Sequence, residues 1–371
     1  MSTLRGITWD HPRGAGPLFA SVAHVREIFG VTVEWQARSL KDFGDAPLVD
    51  LARQFDLLVM DHPHVGVAAA TGCVRPLDTL LPWSTLEALA AASVGPSFAS
   101  YAYEEHQWAL PVDAACQVGA FRPDLIDATA LPAAWAELPA LAERLRAKDQ
   151  WIGMALCPTD AACSFFTLCA QQGATWNEAA APRRTVRIAL EALRDLAALC
   201  HPLSRTWNPI RLYDRMTSCD EVVYSPLAFG YTNYARAEVV RRLQFTGIPD
   251  RTQALLGGAG LAVSSLCPRP EIAAQVAAWV CGGDYQARGY VAAGGQPAHG
   301  AAWRDASADR LTGGFFSGTR ATIEASFVRP RHAAWPRFQE YVGERIGALL
   351  AEPSPDIARA TDDLLAAWRC G

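Results

Sequence analysis

The chain has 371 residues, half of them hydrophobic and 19% charged, with a formal net charge of −5. That length calls for two domains, and the composition is globular rather than disordered. No basic run favours a nucleic-acid partner, and no apolar stretch reaches the roughly 20 residues that a membrane-spanning helix needs.

Leu4–Trp9 predicts a first strand, followed by a helix from about Pro17 to Phe29 with Leu18, Val22, Val25 and Phe29 on one face. Gly30 ends that helix. Val31–Trp35 alternates as a second strand. A polar segment, Lys41–Asp45, leads to a helix near Pro47–Gln54 and then to Leu57–Met60, fully apolar as a buried parallel strand is. This β-α-β-α-β order predicts a parallel sheet with right-handed crossovers. Next come a hairpin over Tyr101–Leu110, a crossing strand Leu110–Asp113, extended chain over Val118–Arg122 and an Ala/Leu-rich helix over 132–148. Trp151–Leu156 predicts a strand, and 160–172 and 185–199 predict helices. Leu255–Val263 is a Gly-rich bend running into a strand, Pro270–Val280 a helix, and Gly294–Pro297 a loop. The last helices fall at about Pro336–Leu350 and 355–368.

Met1-Ser2-Thr3 runs straight into the first strand without a basic or apolar leader, so no secretory signal is read here. None of the ten cysteines forms Cys-x-x-Cys, and most lie in apolar or helical contexts as reduced thiols would. Both features favour the cytoplasm.

Two stretches echo each other: Trp9-Asp10-His11-Pro12-Arg13 and Met60-Asp61-His62-Pro63-His64. Each follows a strand. Such turns at the carboxyl ends of neighbouring strands face one crevice, the place where open α/β sheets bind ligands. A plainer reading stands beside it: Asp caps helices and Pro suits their first turn. Capping does not call for His at both places.

The order of pieces resembles the extracellular solute-binding proteins of ABC importers, in the sugar-binding class that includes maltose-binding protein. The resemblance is carried by the turn Trp9–Gly14 and by Asp61-His62 after the third strand. It also rests on Trp108-Ala109-Leu110-Pro111-Val112-Asp113 with Gly119–Leu125, and on Gly257-Gly258 with Ala262–Ser265 and Pro270–Ala273. It implies a two-domain α/β fold of the periplasmic-binding-protein type II. Each lobe would be a mixed, mostly parallel sheet flanked by helices, with a ligand cleft between lobes and domain closure around the ligand. Lobe one would be 1–110 plus 255–300, and lobe two 111–254 plus 301–371. Hinge crossings would lie near 110–113, 250–256 and 300–312. The resemblance further implies a periplasmic or extracellular location and an ABC permease as partner. The missing leader and the many cysteines depart from that family.

Asp10, His11, Arg13, Asp61, His62 and His64 sit at strand ends and are the first candidates to face a polar small molecule such as a sugar, polyol or hydroxy acid, which charge-assisted hydrogen bonds would fix. Asp113 would reach the ligand from the hinge, or brace the hinge by a hydrogen bond. Trp9 is the aromatic platform of choice, whereas Trp35 alternates into the core. From the second lobe, Trp176-Asn177 and the loop Gly230-Tyr231-Thr232-Asn233-Tyr234 offer aromatics and amides, or a surface turn of packed tyrosines. Gly257 and Gly258 allow close backbone approach, or form a plain bend. His299 is a rim or solvated loop residue.

Two rival functions remain. His11, His62 and His64 with Asp10 or Asp61 supply ligand types for a transition metal, though not at a known zinc spacing. Alternatively, a cytosolic enzyme could use His62 or His11 as general base, oriented by Asp10 or Asp61. No Gly-x-Ser-x-Gly, Walker loop or Gly-x-Gly-x-x-Gly is present, and no cofactor is expected.

Overall fold

The computed structural model describes residues 2–39, 47–176, 180–251 and 253–370. The expected polar segment at Lys41–Asp45 and the candidate Asn177 lie outside the described residues.

The first units are β1 (Ser2–Trp9), α1 (Pro12–Phe29), β2 (Val31–Arg38), α2 (Leu48–Ala52) and β3 (Leu57–Met60). As expected, β1 lies between β2 and β3 and runs parallel to both. The first helix begins five residues before its predicted start, because Pro12 takes the first helical position and His11 caps it. Gly30, at φ 66°, closes it in the left-handed conformation. Leu18 and Val25 are fully buried on its inner face.

Helices α3 (Val65–Thr71) and α4 (Trp83–Ala92) and the small hairpin β4 (Ala102–Tyr103) with β5 (His106–Gln107) lead into β6 (Leu110–Phe121). The crossing strand and the extended stretch beyond it are one continuous strand, every residue of it buried. Its first part pairs antiparallel with β10 (Leu256–Val263), and its last part with β8 (Val222–Phe229) and β9 (Gln244–Thr246). The sheet order is β2-β1-β3-β10-β6-β8-β7, with β7 (Trp151–Ile152) parallel to β8 and shorter than predicted.

Helices α5 (Leu138–Arg146), α6 (Pro158–Gln171), α7 (Arg183–Leu199) and α8 (Pro209–Ser218) surround the β7–β8 end of the sheet. α9 (Pro270–Val280) packs back on the β1 end. α10 (Gly300–Arg304), α11 (Ala306–Leu311), α12 (Phe315–Glu324), α13 (Trp335–Ala351) and α14 (Ile357–Cys370) complete the chain.

The buried apolar residues fall into two sets. One draws on residues 4–112 and 259–290. The other, apart from Val94, draws on residues 114–256 and 291–365. Among the described residues β6, β10 and the helical run at 283–292 reach into both.

Candidate functional site

β1 and β3 pair with Gly6 opposite Leu57 and Ile7 opposite Leu58, so the two Asp-His-Pro turns leave the same edge of the sheet. At the first turn the cap is His11, not Asp10: the His11 Nδ1 accepts the backbone N–H of Arg13 at 3.1 Å. Asp10 is exposed. At the second turn, Asp61 precedes a single 3-10 turn, His62–His64, and makes no side-chain cap bond to it.

Arg13 turns inward from the start of α1 and is only 4% exposed. Its Nε donates to Asp113 Oδ2 at 2.7 Å, its Nη2 donates to Asp113 Oδ1, and its Nη1 donates to the Gly230 carbonyl at 2.9 Å. The guanidinium lies 4.4 Å from the centre of the Tyr231 ring. His11 meets the same ring edge-on, 5.0 Å between centroids. The first strand end, the crossing strand β6 and the loop after β8 therefore meet at one point. Burial opposes the charge on Arg13, but Asp113 outweighs it and holds the guanidinium protonated. Burial, and then Arg13, push the His11 pKa down to about 4, so its imidazole is neutral at pH 7.

The second turn is clamped from the far end of the chain. Arg329, 3% exposed, donates from Nη2 to both Asp61 oxygens at 3.0 Å and from Nη1 to Gln339 Oε1 at 3.0 Å. Burial alone would raise the Asp61 pKa; Arg329 overcomes it and holds the carboxyl well below its ordinary range. His62 is fully buried, with Nδ1 3.3 Å from Asp61 Oδ1 and its ring edge-on to Tyr101 at 6.2 Å. Burial and Arg329 lower its pKa to about 4. His64 is half-buried on the same turn. Gly66 lets the 331–333 backbone close over α3, since a Cβ there would stand 1.9 Å from the Arg331 carbonyl oxygen.

The other candidates divide. Asn233 is half-buried and donates to the Gly294 carbonyl at 3.0 Å, tying the Tyr231 loop to the loop at 294–297. Trp9 is not a platform: it is 4% exposed in the apolar core and packs on Gly14, where a Cβ would stand 2.3 Å from the indole. Trp176 is likewise a core residue, 2% exposed among Phe165, Phe166, Phe338 and Trp368. Its aromatic surface is better buried there than against a wet cleft. Gly257 and Gly258 serve strand packing instead of ligand approach: one makes room for the Phe229 ring, and the other, at φ 104°, lies against the Asp113 carbonyl. His299 caps α10 by accepting the Ala301 N–H.

Arg329 and Gln296 belong to this region and escaped the sequence reading, as did the buried Asp160. Gln296 is fully buried; its Oε1 accepts the Thr232 N–H at 3.1 Å and its Nε2 donates to the Ala114 carbonyl at 2.7 Å. Asp160 lies in the first turn of α6, 9% exposed, with the Cys157 thiol donating to it at 3.1 Å. Burial raises its pKa to about 6. Pro158 announced the helix start, and an acid two residues later was a legible signal.

Among the described residues no group of three or more His, Cys, Asp or Glu is placed to hold a metal ion. Of the pairs in the enzyme alternative, His11 is committed through Nδ1 to the helix cap, whereas His62 stands with its Nδ1 3.3 Å from Asp61 Oδ1, its ring fully buried and the carboxylate also held by Arg329. A cavity of about 590 Å³ lies elsewhere, by Arg146, Trp151, Arg194, His201 and Arg205. Two of its arginines are engaged at helix ends, Arg146 with the Ala198 and Leu199 carbonyls of α7 and Arg205 with the Leu350 carbonyl of α13.

No protein-family model matches this chain, and no curated protein matches it. Solved structures do. The chain is similar to an ABC transporter solute-binding protein from Agrobacterium radiobacter K84 in complex with ribitol, at a TM-score of 0.82 and 19% identity over 100% of this chain and 99% of that one. It is similar to maltose-bound MalE3 of T. maritima at a TM-score of 0.83 and 14% identity over all of both chains. A third, the solute-binding protein of Thermotoga lettingae TMO bound with α-D-tagatose, gives 0.82 and 17% over 99% of this chain and all of that one. At these identities the likeness is one of fold: this chain has the two-lobed α/β fold of the MalE-like solute-binding proteins.

Proposed function

We propose that this protein binds a small polar solute, a sugar, polyol or hydroxy acid, between lobe one (1–110 plus 255–300) and lobe two (111–254 plus 301–371). It acts as the solute-binding component of an ABC importer or as a related sensor. The observation that carries this reading is the meeting of two strand-end turns, at positions 10–13 and 61–64, with Tyr231 and Arg329 reaching them from the other side. Strand ends of one sheet present polar groups in a fixed array, which suits recognition of hydroxyls without chemistry on them. The structural neighbours named with ribitol, maltose and α-D-tagatose support the same class. As an importer component the protein works outside the cytoplasmic membrane with a permease; as a sensor it would work inside.

The test is a thermal-shift screen of sugars, polyols and hydroxy acids, with the bound compound recovered by native mass spectrometry. A binder at one hundred times its Kd adds about 2.7 kcal/mol of stability, and the ligand returns unchanged. His11→Asn keeps a capping side chain while removing the imidazole, and Tyr231→Ala removes the ring; each is expected to weaken binding with the fold kept. A compound that is turned over, or a screen with no shift, refutes the reading.

A further inference from the structure

We infer that residues 328–334 form a strap by which the second half of the molecule holds the first. The protein then rests closed before solute arrives, and exchange waits on release of Arg329 from Asp61. The inference goes beyond solute binding to the way the two halves are kept together, and its test needs no solute.

The strap is anchored at both ends in the second half. Phe327 pairs its backbone with Ala254 and Leu256, and Trp335 is fully buried in the same core. Between these anchors the chain is neither helix nor strand. It makes none of the passages between the halves, which lie near 112–114, 256–259 and 290–291. Its middle nevertheless grips the first half at three places. Arg329 donates to both oxygens of Asp61 at 3.0 Å, just beyond β3. Arg331 donates from Nη1 to the Ala99 carbonyl at 2.6 Å and to the Ala102 carbonyl. The 331–333 backbone lies on α3 where Gly66 leaves room for it. Met60, Tyr101 and Val65, each next to or between these points, belong to one apolar cluster of the first half.

The sequence builds the strap locally. Pro330 biases Arg329 before it toward extended backbone, and residues two apart on an extended chain share a side. Arg329 and Arg331 therefore reach the same way. Gln339 of α13 accepts from Arg329 Nη1 at 3.0 Å, so the second half steadies the guanidinium while it binds the first. Parting the halves here must break the Arg329–Asp61 pair or peel the strap off a core in which Trp335 has no exposed surface. Arg329 is only 3% exposed, so a broken pair leaves its charge buried and uncompensated. All these contacts are between groups of the chain itself, so closure at the strap does not depend on a solute. A solute that enters the open state then binds with an apparent affinity reduced by the open fraction.

Small-angle scattering and hydrogen–deuterium exchange on the full chain, shown to be solute-free by native mass spectrometry, test this. Wild type should have the radius of gyration of this structure. Arg329→Gln gives up the ion pair with Asp61, and Arg331→Ala gives up the carbonyls at 99 and 102 while leaving that pair in place. Each should raise the radius of gyration and speed exchange at 61–71 and 99–102 about tenfold, with β8 unchanged. The exchanged pair, Asp61→Arg with Arg329→Asp, should bring both readings back toward wild type. A wild type as extended as the variants, or variants as compact and as protected as wild type, overturns the inference. So does faster exchange that includes β8 without a larger radius, since that is general destabilisation. If one single variant fails to fold, the other and the wild-type radius decide. None of these outcomes bears on solute binding, which stands or falls by its own screen.

Discussion

Arg13 and Asp113 form a buried ion pair 4% and 1% exposed, and breaking it should be costly. Arg13→Met keeps much of the side-chain length and removes the charge. It strands the Asp113 carboxylate in an apolar place and removes the bond to the Gly230 carbonyl. Removing one partner of a buried pair costs about 3–5 kcal/mol, most of it the uncompensated charge left behind. Asp113→Leu alone strands the guanidinium and should cost a similar amount. The double variant leaves no orphan, so it should recover most of the loss, because apolar replacement of both partners is often neutral. Guanidinium chloride unfolding, followed by far-UV circular dichroism on all four proteins, gives the coupling energy. Arg183–Asp362, with side chains 55% and 60% exposed, is the control, and Arg183→Ala should change nothing measurable. A cost below about 1 kcal/mol for Arg13→Met, or simple additivity in the double variant, would refute the claim that this pair is formed and desolvated in solution.

Asp160→Asn should stabilise the protein at pH 7.5 and not at pH 3.5. The folded-state pKa of about 6 lies above the ordinary 3.8, so the penalty is absent below pH 3.8, grows as pH rises and is complete above pH 6. Two units at about 1.4 kcal/mol each set a ceiling of about 3 kcal/mol, read from denaturation midpoints at the two pH values. Gly66→Ala forces a methyl group against the Arg331 carbonyl; a loss of about 1–3 kcal/mol, or an increased radius of gyration in small-angle scattering, is expected, and neither would mean that the contact is not made. Trp176→Ala should cost about 3–5 kcal/mol while leaving the affinity for any identified solute within twofold, whereas a large affinity loss would return Trp176 to the site.

The fold was legible where periodicity and punctuation agree. β3 and α9 lie on their predicted residues, because a four-residue apolar run and a helix opened by Pro270 leave little choice. The parallel trio β1–β3 followed from alternation alone. α1 began earlier than predicted because Gly14, Gly16 and Pro17 are poor helix formers, and the His11 cap that overrides them is not a common one. At the site, the strand-end turns were visible because they repeat. Their partners were not. Arg329 lies 268 residues from Asp61, and no local pattern announces a contact of that range. Position misled at Trp9, which ends a strand yet turns into the core, and aromatic content at Trp176, since a tryptophan in a polar segment looks the same whether it turns inward or outward.

Because β6 is laid through both halves as a single buried rod, the protein cannot be divided into independently folding pieces by one cut of the chain. Each half must borrow part of that strand and part of β10. Any movement of one half against the other must bend the chain at its three passages between them, near 112–114, 256–259 and 290–291. A pair of labels on the 61–64 turn and the 231–234 loop, one in each half, would register such a movement as a change in their separation.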